Sequence, residues 1–141
     1  MKILLAADGS DYTKRAARHL VDHLAWFARP PEIHLLHVRP PLPYPGAAAH
    51  IGKKAIDEYE RSESKAALAV AEKILDKAGI DYQSAWSVGD VAAGIRDYAK
   101  KHRIDLVVMG SHGHGVLAGL ALGSVATKVI ASIKQPVLIV R

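Results

Sequence analysis

Five glycines lie between positions 110 and 123, and this stretch holds the residue types best suited to chemistry in the chain. It reads GSHGHGVLAGLALGS, follows an apolar run and leads into a helical pattern. Glycines let main-chain N–H groups approach oxyanions, and a helix N-terminus adds unpaired donors and partial positive charge. The pattern indicates phosphate binding. On composition alone, a plain connecting loop stays open as the alternative.

Two common phosphate-binding motifs do not account for this stretch. No glycine is followed by Lys and then Ser or Thr in the register of a P-loop. Gly113, Gly115 and Ala118 match the G-x-G-x-x-A form of the dinucleotide fingerprint. That fingerprint should follow the first strand, with an acidic residue about 20 positions later. No acidic residue follows Asp105, so we do not expect a nicotinamide cofactor.

Four histidines raise the question of a metal site, which their surroundings do not favour. His112 and His114 lie among the glycines, but a site needs three or four converging ligands, and no nearby acid or cysteine completes one. We expect them to be polar loop residues near phosphate. His34 and His37 are three apart on a predicted strand, so they should point to opposite faces.

The composition describes one ordinary globular domain of 141 residues, 50% of them hydrophobic. The lack of cysteine excludes a disulfide framework, a thiolate zinc site and a cysteine nucleophile. The first apolar run is too short for a signal peptide, and residues 115–126 fall short of the ~20 that span a bilayer. We therefore expect a cytoplasmic protein without a membrane partner. The net charge of +5 suits an anionic ligand, but no helix gathers basic residues on one face, so no nucleic acid is expected.

Short apolar runs alternate with helical patterns along the chain. Strands are predicted at 2–7, 32–38, 81–88, 105–109 and 136–140. Helices are predicted from Ser10 or Asp11 to the Pro30-Pro31 pair, over 53–78, from the capping residue Asp90 onward, and over 124–132. Residues 39–52 hold four of the prolines and are predicted to be a loop. The alternation predicts a single α/β domain over 1–141, with a parallel sheet and helices on both faces.

Gly110-x2-Gly113-x9-Gly123-Ser124 resembles the ATP-binding motif of the universal stress protein family, G-x2-G-x9-G-[ST]. The resemblance covers the whole chain, because further family segments follow in the same order: DGS at 8–10, GD at 89–90, DLVVMGSHG at 105–113 and PVLIV at 136–140. One departure is Ala6, where many members carry proline. It implies a slightly relaxed wall beside the adenine, with binding retained.

This resemblance implies a doubly wound, Rossmann-like sheet of the adenine nucleotide alpha hydrolase type, with five parallel strands in the order 3-2-1-4-5. The first and fourth strands then lie side by side where the winding reverses, which is where open α/β sheets bind ligands. Asp8 and Gly110 follow these two strands, so the glycine-rich stretch and the topological site coincide. The resemblance also implies a homodimer in which the apolar C-terminal strand, at the sheet edge, pairs with its copy.

An ATP site is the main functional implication of the resemblance. The expected contacts, running from adenine to phosphate, are Ala7, Asp8, Val38, Met109, Gly110, His114, Gly113, Gly123, Ser124 and Val125. A Mg or Mn ion bridging the phosphates is expected, without an assigned protein ligand. Two simpler interpretations stay open: Ser124 as an N-cap alone, and Asp8 as a turn residue alone.

Three functions are compatible with the sequence to different degrees. The leading one is a nucleotide-dependent regulatory protein of the stress response, with the proline-rich loop at 39–52 as a candidate lid. The alternative is a slow ATPase or phosphotransferase, for which no general base is evident beside the phosphate donors. A receiver-type signalling domain fits poorly, because Asp8 alone follows the first strand and Lys134 precedes the last.

Overall fold

The computed structural model describes residues 1–42, 52–115 and 121–141. Within them, the strands are β1 Lys2–Ala6, β2 Glu32–Arg39, β3 Tyr82–Val88, β4 Leu106–Gly110 and β5 Val137–Val140. The α-helices are α1 Asp11–Asp22, α2 Lys53–Lys77, α3 Val91–His102 and α4 Ser124–Ser132. The predicted positions of all five strands are confirmed to within one residue at each end. Most of the proline-rich loop, at 43–51, lies outside the described residues. Its role as a lid therefore stays a prediction.

The strands form one sheet in the order β3-β2-β1-β4-β5, and every neighbouring pair is parallel. The doubly wound topology expected from the family resemblance is therefore confirmed. Central β1 pairs with β2 through Leu4 and His34 and with β4 through Leu4 and Val107. The connections that follow β1 and β4 run to helices on opposite faces of the sheet. The carboxyl ends of these two strands therefore border a crevice.

Two apolar layers sandwich the sheet. On one face α1 and α2 bury Leu20, Leu68 and Leu75 against the inward side chains of the central strands. On the other face α3 and α4 bury Ile95 and Val129 in the same way. The strands alternate between these two cores, as residues two apart on a strand must share a face. Consequently both faces of the central strands are apolar, which explains their nearly continuous hydrophobic sequences.

Local side chains and glycines define the helix ends. The Ser10 hydroxyl accepts from the Thr13 N–H and caps α1, and the Asp90 carboxylate accepts from the Ala93 N–H and caps α3. Gly79 follows α2 with a φ of 67°. The Ile80 N–H donates to the Leu75 carbonyl at 3.0 Å, as in a Schellman motif. These caps were all predicted by the sequence.

The predicted end of the first helix is wrong. α1 stops at Asp22, and a single 3-10 turn, Leu24–Trp26, replaces the continuation toward Pro30. At the junction the His23 ring donates from Nδ1 to the His19 carbonyl at 2.7 Å, beside the helical N–H bond to the same oxygen. The tighter turn brings residues three apart onto one side, so Leu24 and Phe27 both pack against the core. Tertiary packing thus ends the helix well before the prolines.

A polar cluster surrounds His34, near the amino-terminal edge of the sheet and away from the crevice. The His34 Nε2 donates to the Glu32 carboxylate at 3.0 Å, and its Nδ1 accepts from the Tyr98 hydroxyl at 3.0 Å. The His102 ring stacks on Tyr98 with centroids 4.0 Å apart. The Lys2 ammonium completes the cluster on Glu32. His37 instead points to the opposite face of β2 and donates to Ala7, so the predicted divergence of the two histidines is confirmed.

The cluster shifts the titration of its members. The Lys2 and His34 hydrogen bonds lower the pKa of Glu32 below its ordinary value. Desolvation, followed by the charge of Glu32, raises the pKa of Tyr98. Desolvation and then the nearby positive charges of His34, Lys101 and Lys2 lower the pKa of His102, against the opposing effect of Glu32. His102 is therefore held neutral to a lower pH than it would be in the unfolded chain.

We predict that the His102→Gln variant loses less stability than the wild type on mild acidification. Because the pKa of His102 is lower in the folded state, the unfolded chain takes up a proton at His102 first when the pH falls. The neutral His102 therefore contributes its full stabilising effect above pH 6.5, and this effect declines as the pH falls toward the pKa of the folded state. Urea denaturation between about pH 7.5 and 5.5 measures the difference, above the range in which carboxylates titrate. The His23→Gln variant, outside the cluster, serves as control. Identical pH dependence in wild type and His102→Gln would contradict the assignment.

No helix among the described parts of the chain is long and apolar enough to cross a membrane.

Candidate functional site

A cavity of about 390 Å³ opens at the carboxyl ends of β1 and β4, at the point where the strand order reverses. The residues expected from the sequence all line it: Ala7, Asp8, Val38, Met109, Gly110, Gly113, His114, Gly123, Ser124 and Val125. Four separate segments of the chain contribute them. The structure therefore brings the ten together in one place, although they are up to 118 positions apart in sequence (7 to 125).

The Asp8 carboxylate is oriented by the start of α1. Its Oδ1 accepts from the Ser10 N–H at 3.0 Å and from the Thr13 hydroxyl at 2.8 Å. The Thr13 oxygen in turn accepts from the Asp8 N–H at 2.9 Å. This arrangement leaves Oδ2 facing Gly113, where an added Cβ would lie only 2.5 Å from it. Asp8 is thus a turn residue whose second oxygen faces the cavity.

Thr13 is a site residue that the sequence analysis missed. It lies within the cavity wall and is 2% exposed. A hydroxyl five positions after an aspartate, inside the first turn of a capped helix, was the available signal. Its two bonds to Asp8 fix the carboxylate rotamer, so Thr13 positions the group without occupying the space beside it.

Close packing explains why Gly110 must be a glycine. An added Cβ would lie 2.5 Å from the Cβ of Tyr12 and 3.0 Å from its carbonyl carbon. Such distances are far below van der Waals contact, so the first turn of α1 lies directly on the end of β4. Gly110 thus combines this close approach of α1 with a place in the lining of the cavity.

The N-terminus of α4 faces the cavity and has no side-chain cap. Gly123 occupies the N-cap position, and its N–H donates to the Ser111 carbonyl at 2.8 Å. Ser124 is the first helical residue, so the interpretation of Ser124 as an N-cap is wrong. The first turn contains no acidic residue. The N–H groups at Ser124 and Val125, in the first turn of the helix, are of the kind that can donate to an anion, and the partial positive charge of the helix end favours one.

The other end of the cavity is apolar. Val38 and Met109 form its floor and are 7% and 6% exposed. Val91 and Ile95 of α3 add a wall. Gly94 lets this helix approach, since an added Cβ there would lie 2.8 Å from a Val38 methyl group. A flat apolar group fits this end, and an anion fits the other.

Two histidines bind main-chain carbonyls across the crevice. The His114 Nε2 donates to the Asp8 carbonyl at 2.8 Å, and the His37 Nδ1 donates to the Ala7 carbonyl at 2.7 Å. The glycine-rich segment is thereby tied to the turn after β1. The His112 ring lies between Ser111 and the Tyr12 ring. In the described residues no group of three or more His, Asp or Glu side chains is arranged to hold a metal ion.

An all-parallel sheet in this order, with a glycine-lined cavity at its switch point, places the chain in the class of Rossmann-like α/β proteins. The chain belongs to the Universal stress protein family, which it matches over residues 1–141.

Three proteins of known sequence or structure match this chain over nearly its full length. Universal stress protein MJ0531 of Methanocaldococcus jannaschii is 32% identical over 140 residues, which cover 99% of this chain and 81% of that protein. The solved structure of MJ0577 superposes with a TM-score of 0.81 at 27% identity, covering 99% of this chain and 94% of that one. A universal stress protein solved in complex with cAMP gives a TM-score of 0.69 at 26% identity, with 100% and 97% covered.

Proposed function

We propose that this chain is an ATP-binding, dimeric regulatory protein of the cytoplasmic stress response. The observation that carries the proposal is the uncapped N-terminus of α4, which faces a glycine-lined cavity at the switch point of the sheet. Anions bind at such helix ends, and nucleotides bind at such switch points. The cAMP complex of a 26% identical relative supports an adenine nucleotide as the ligand class.

The two chemically different ends of the cavity orient the proposed nucleotide. The adenine lies against Val38 and Met109, at the apolar end. The Asp8 Oδ2 accepts hydrogen bonds from the ribose hydroxyls, because Oδ1 already accepts from Ser10 and Thr13. The ribose rests over Gly110, which lines the cavity between the two ends.

The phosphates extend toward α4. The main-chain N–H groups of Gly113, Gly123, Ser124 and Val125 serve as donors in this proposal, together with the Ser124 hydroxyl; the Gly123 N–H would have to exchange its bond to Ser111. His114 lies beside them. A Mg or Mn ion bound with the phosphates would offset part of their negative charge, and no protein ligand is assigned to it.

Regulation by binding is favoured over catalysis. Asp8 is the one carboxylate among the described residues that line the cavity. It faces Gly113 at the ribose side in the proposed pose and is held there by Thr13. Phosphoryl transfer requires a positioned nucleophile as well as charge stabilisation. Among the described lining residues we identify donors for charge stabilisation but no positioned nucleophile. Hydrolysis should therefore be slow at most.

We expect the protein purified without added nucleotide to release ATP or ADP on denaturation, at close to one molecule per chain. The Gly113→Val/Gly123→Val double variant should release none. A Cβ at Gly113 would lie 2.5 Å from the Asp8 carboxylate, and one at Gly123 would lie 3.2 Å from the main chain of Ser111 and His112, so both substitutions displace the segments proposed to hold the phosphates. Chromatography of the denatured supernatant identifies the released molecule and its amount.

The control is Gly115→Val, because an added Cβ at Gly115 has no neighbour within 4 Å among the residues that the structure describes. Circular dichroism and thermal melting establish that all three proteins are folded. An empty wild type that also fails to bind added ATP would refute the nucleotide proposal. Equal retention of nucleotide in wild type and double variant would refute the proposed position of the phosphates.

A further inference from the structure

Two histidines face each other at the C-terminal end of α1, outside the cavity. His19 lies in the last turn of the helix, and His23 is its C-cap residue. A spacing of four places both side chains on the same face of a helix. Their ring centroids lie 4.1 Å apart at an interplanar angle of 33°. Neither ring lines the cavity or contacts the polar cluster around His34, so the pair is separate from both.

The separation of the two rings is close to that of two imidazoles bound to one metal ion. Metal–nitrogen bonds of about 2.0–2.1 Å that meet at right angles place the centroids of two such rings about 4.5 Å apart. The observed separation is 4.1 Å. Small rotations of the two rings therefore suffice to bring one nitrogen of each onto a common ion.

Hydrogen bonding leaves the required ring nitrogens available. The His23 Nδ1 donates to the His19 carbonyl at 2.7 Å, which in the neutral ring leaves the lone pair on Nε2. A main-chain carbonyl on the second nitrogen is the usual arrangement for a metal-bound histidine, because it fixes the tautomer and the ring orientation. Neither ring nitrogen of His19 has a hydrogen-bond partner among the described residues. Each ring can therefore offer one nitrogen to an ion.

The electrostatic setting of the pair favours a cation. The C-terminal end of an α-helix carries a partial negative charge. α1 ends at Asp22, whose carboxylate belongs to the same last turn as His19. Arg15, one turn earlier, lies over the Tyr12 ring, with its guanidinium 5.2 Å from the ring centroid. A positive ion at the histidine pair is thus stabilised by the helix end and by Asp22.

The Trp26 indole packs against the pair from the 3-10 turn. Its ring centroid lies 4.1 Å from that of His23 and 5.8 Å from that of His19. The contact restricts the His23 ring, which lowers the entropy lost on coordination. It also places a fluorescent side chain directly beside an ion bound to the two histidines.

We propose that His19 and His23 form a surface site for a divalent late transition metal ion, with Cu²⁺ bound most tightly and Ni²⁺ or Zn²⁺ more weakly. Imidazole suits these ions, and the affinity of a given set of nitrogen ligands is highest for Cu²⁺. A closed structural centre needs four protein ligands, and no group of three or more candidate ligands occurs in the described parts of the chain. Water therefore completes the coordination, and the bound ion is exchangeable.

Fluorescence titration of the full chain with Cu²⁺ tests this site. The chain has two tryptophans, so the Trp86→Phe variant retains Trp26 alone. At about pH 7.5, where the imidazoles are mainly neutral, we expect Cu²⁺ to quench Trp26 and EDTA to restore its emission. Mg²⁺ prefers oxygen ligands and should leave the emission unchanged. Absence of quenching by Cu²⁺ in this parent variant would overturn the proposal.

Variants of the pair, made in the Trp86→Phe background, test the two ligands. His19→Gln and His23→Gln should each raise the Cu²⁺ concentration for half-quenching by about tenfold or more, because a single imidazole cannot chelate. Arg18→His/His19→Gln is the matched control: it keeps two histidines but five positions apart, on different sides of the helix, and should bind as weakly as His19→Gln. Circular dichroism establishes that each variant is folded. Half-quenching at the parent concentration in either single variant or in the control would exclude chelation by this pair.

Discussion

Gly110→Ala should destabilise the folded protein by about 2–3 kcal/mol, which corresponds to a fall in Tm of about 5–10 °C. The added methyl group would lie 2.5 Å from the Cβ of Tyr12 and 3.0 Å from its carbonyl carbon. The carbonyl carbon belongs to the main chain of α1, so rotation of the Tyr12 side chain cannot relieve the contact. The helix as a whole must move away from β4, which costs packing along the core that Leu20 shares with the sheet.

Gly115→Ala is the matched control for this experiment. It makes the same chemical change in the wall of the same cavity, but its Cβ would have no neighbour within 4 Å in the described parts of the chain. Its free energy of unfolding should stay within about 0.5 kcal/mol of the wild-type value. Urea denaturation of the three proteins gives both differences. If Gly110→Ala unfolded at the wild-type urea concentration, the close approach of α1 to β4 would be contradicted.

The sequence predicts the framework of this fold well because its signals are local. Each strand is a short apolar run, and Ser10, Asp90 and Gly79 define helix ends through contacts within five residues of themselves. The strand order required the family resemblance, since apolar runs do not state which strands are neighbours. The end of α1 was missed because the packing of Leu24 and Phe27 against distant core residues decides it.

The candidate site likewise contains residues that the sequence predicts and residues that it does not. The glycine spacing and the family resemblance identified ten residues that do line one cavity. Thr13, Gly94 and the carbonyl contact of His37 were not found, because each depends on a partner in another part of the fold or on side-chain geometry. A glycine in a helix and a histidine in a strand carry no signal of their own, and the position of Thr13 five residues after Asp8 becomes informative only with the geometry of the capped turn. The absence of Lys and Arg from the described lining also becomes visible only when its separate segments are assembled.

Ile139→Pro should convert the proposed homodimer into monomers, weakening self-association on the order of a hundredfold. β5 is an edge strand of the sheet. Its inward bonds to β4 include Val107 N–H to the Pro136 carbonyl and Ser111 N–H to the Val140 carbonyl. By the alternation of main-chain groups along a strand, the N–H and C=O groups of Val137 and Ile139 point outward. Proline at 139 removes an outward donor and places its ring where a second β5 would pair, and it leaves the β4 ladder intact.

Ile139→Ala separates this main-chain effect from lost side-chain packing. Ile139 packs on the core between the sheet and α3 and α4, so both substitutions remove apolar contacts there. Ile139→Ala keeps its N–H, and it should therefore still dimerise while Ile139→Pro does not. Sedimentation velocity over a range of concentrations measures association, and circular dichroism reports whether each chain is folded. A proline variant that associates as tightly as the alanine variant would exclude pairing through β5, and a monomeric wild type would exclude the dimer itself.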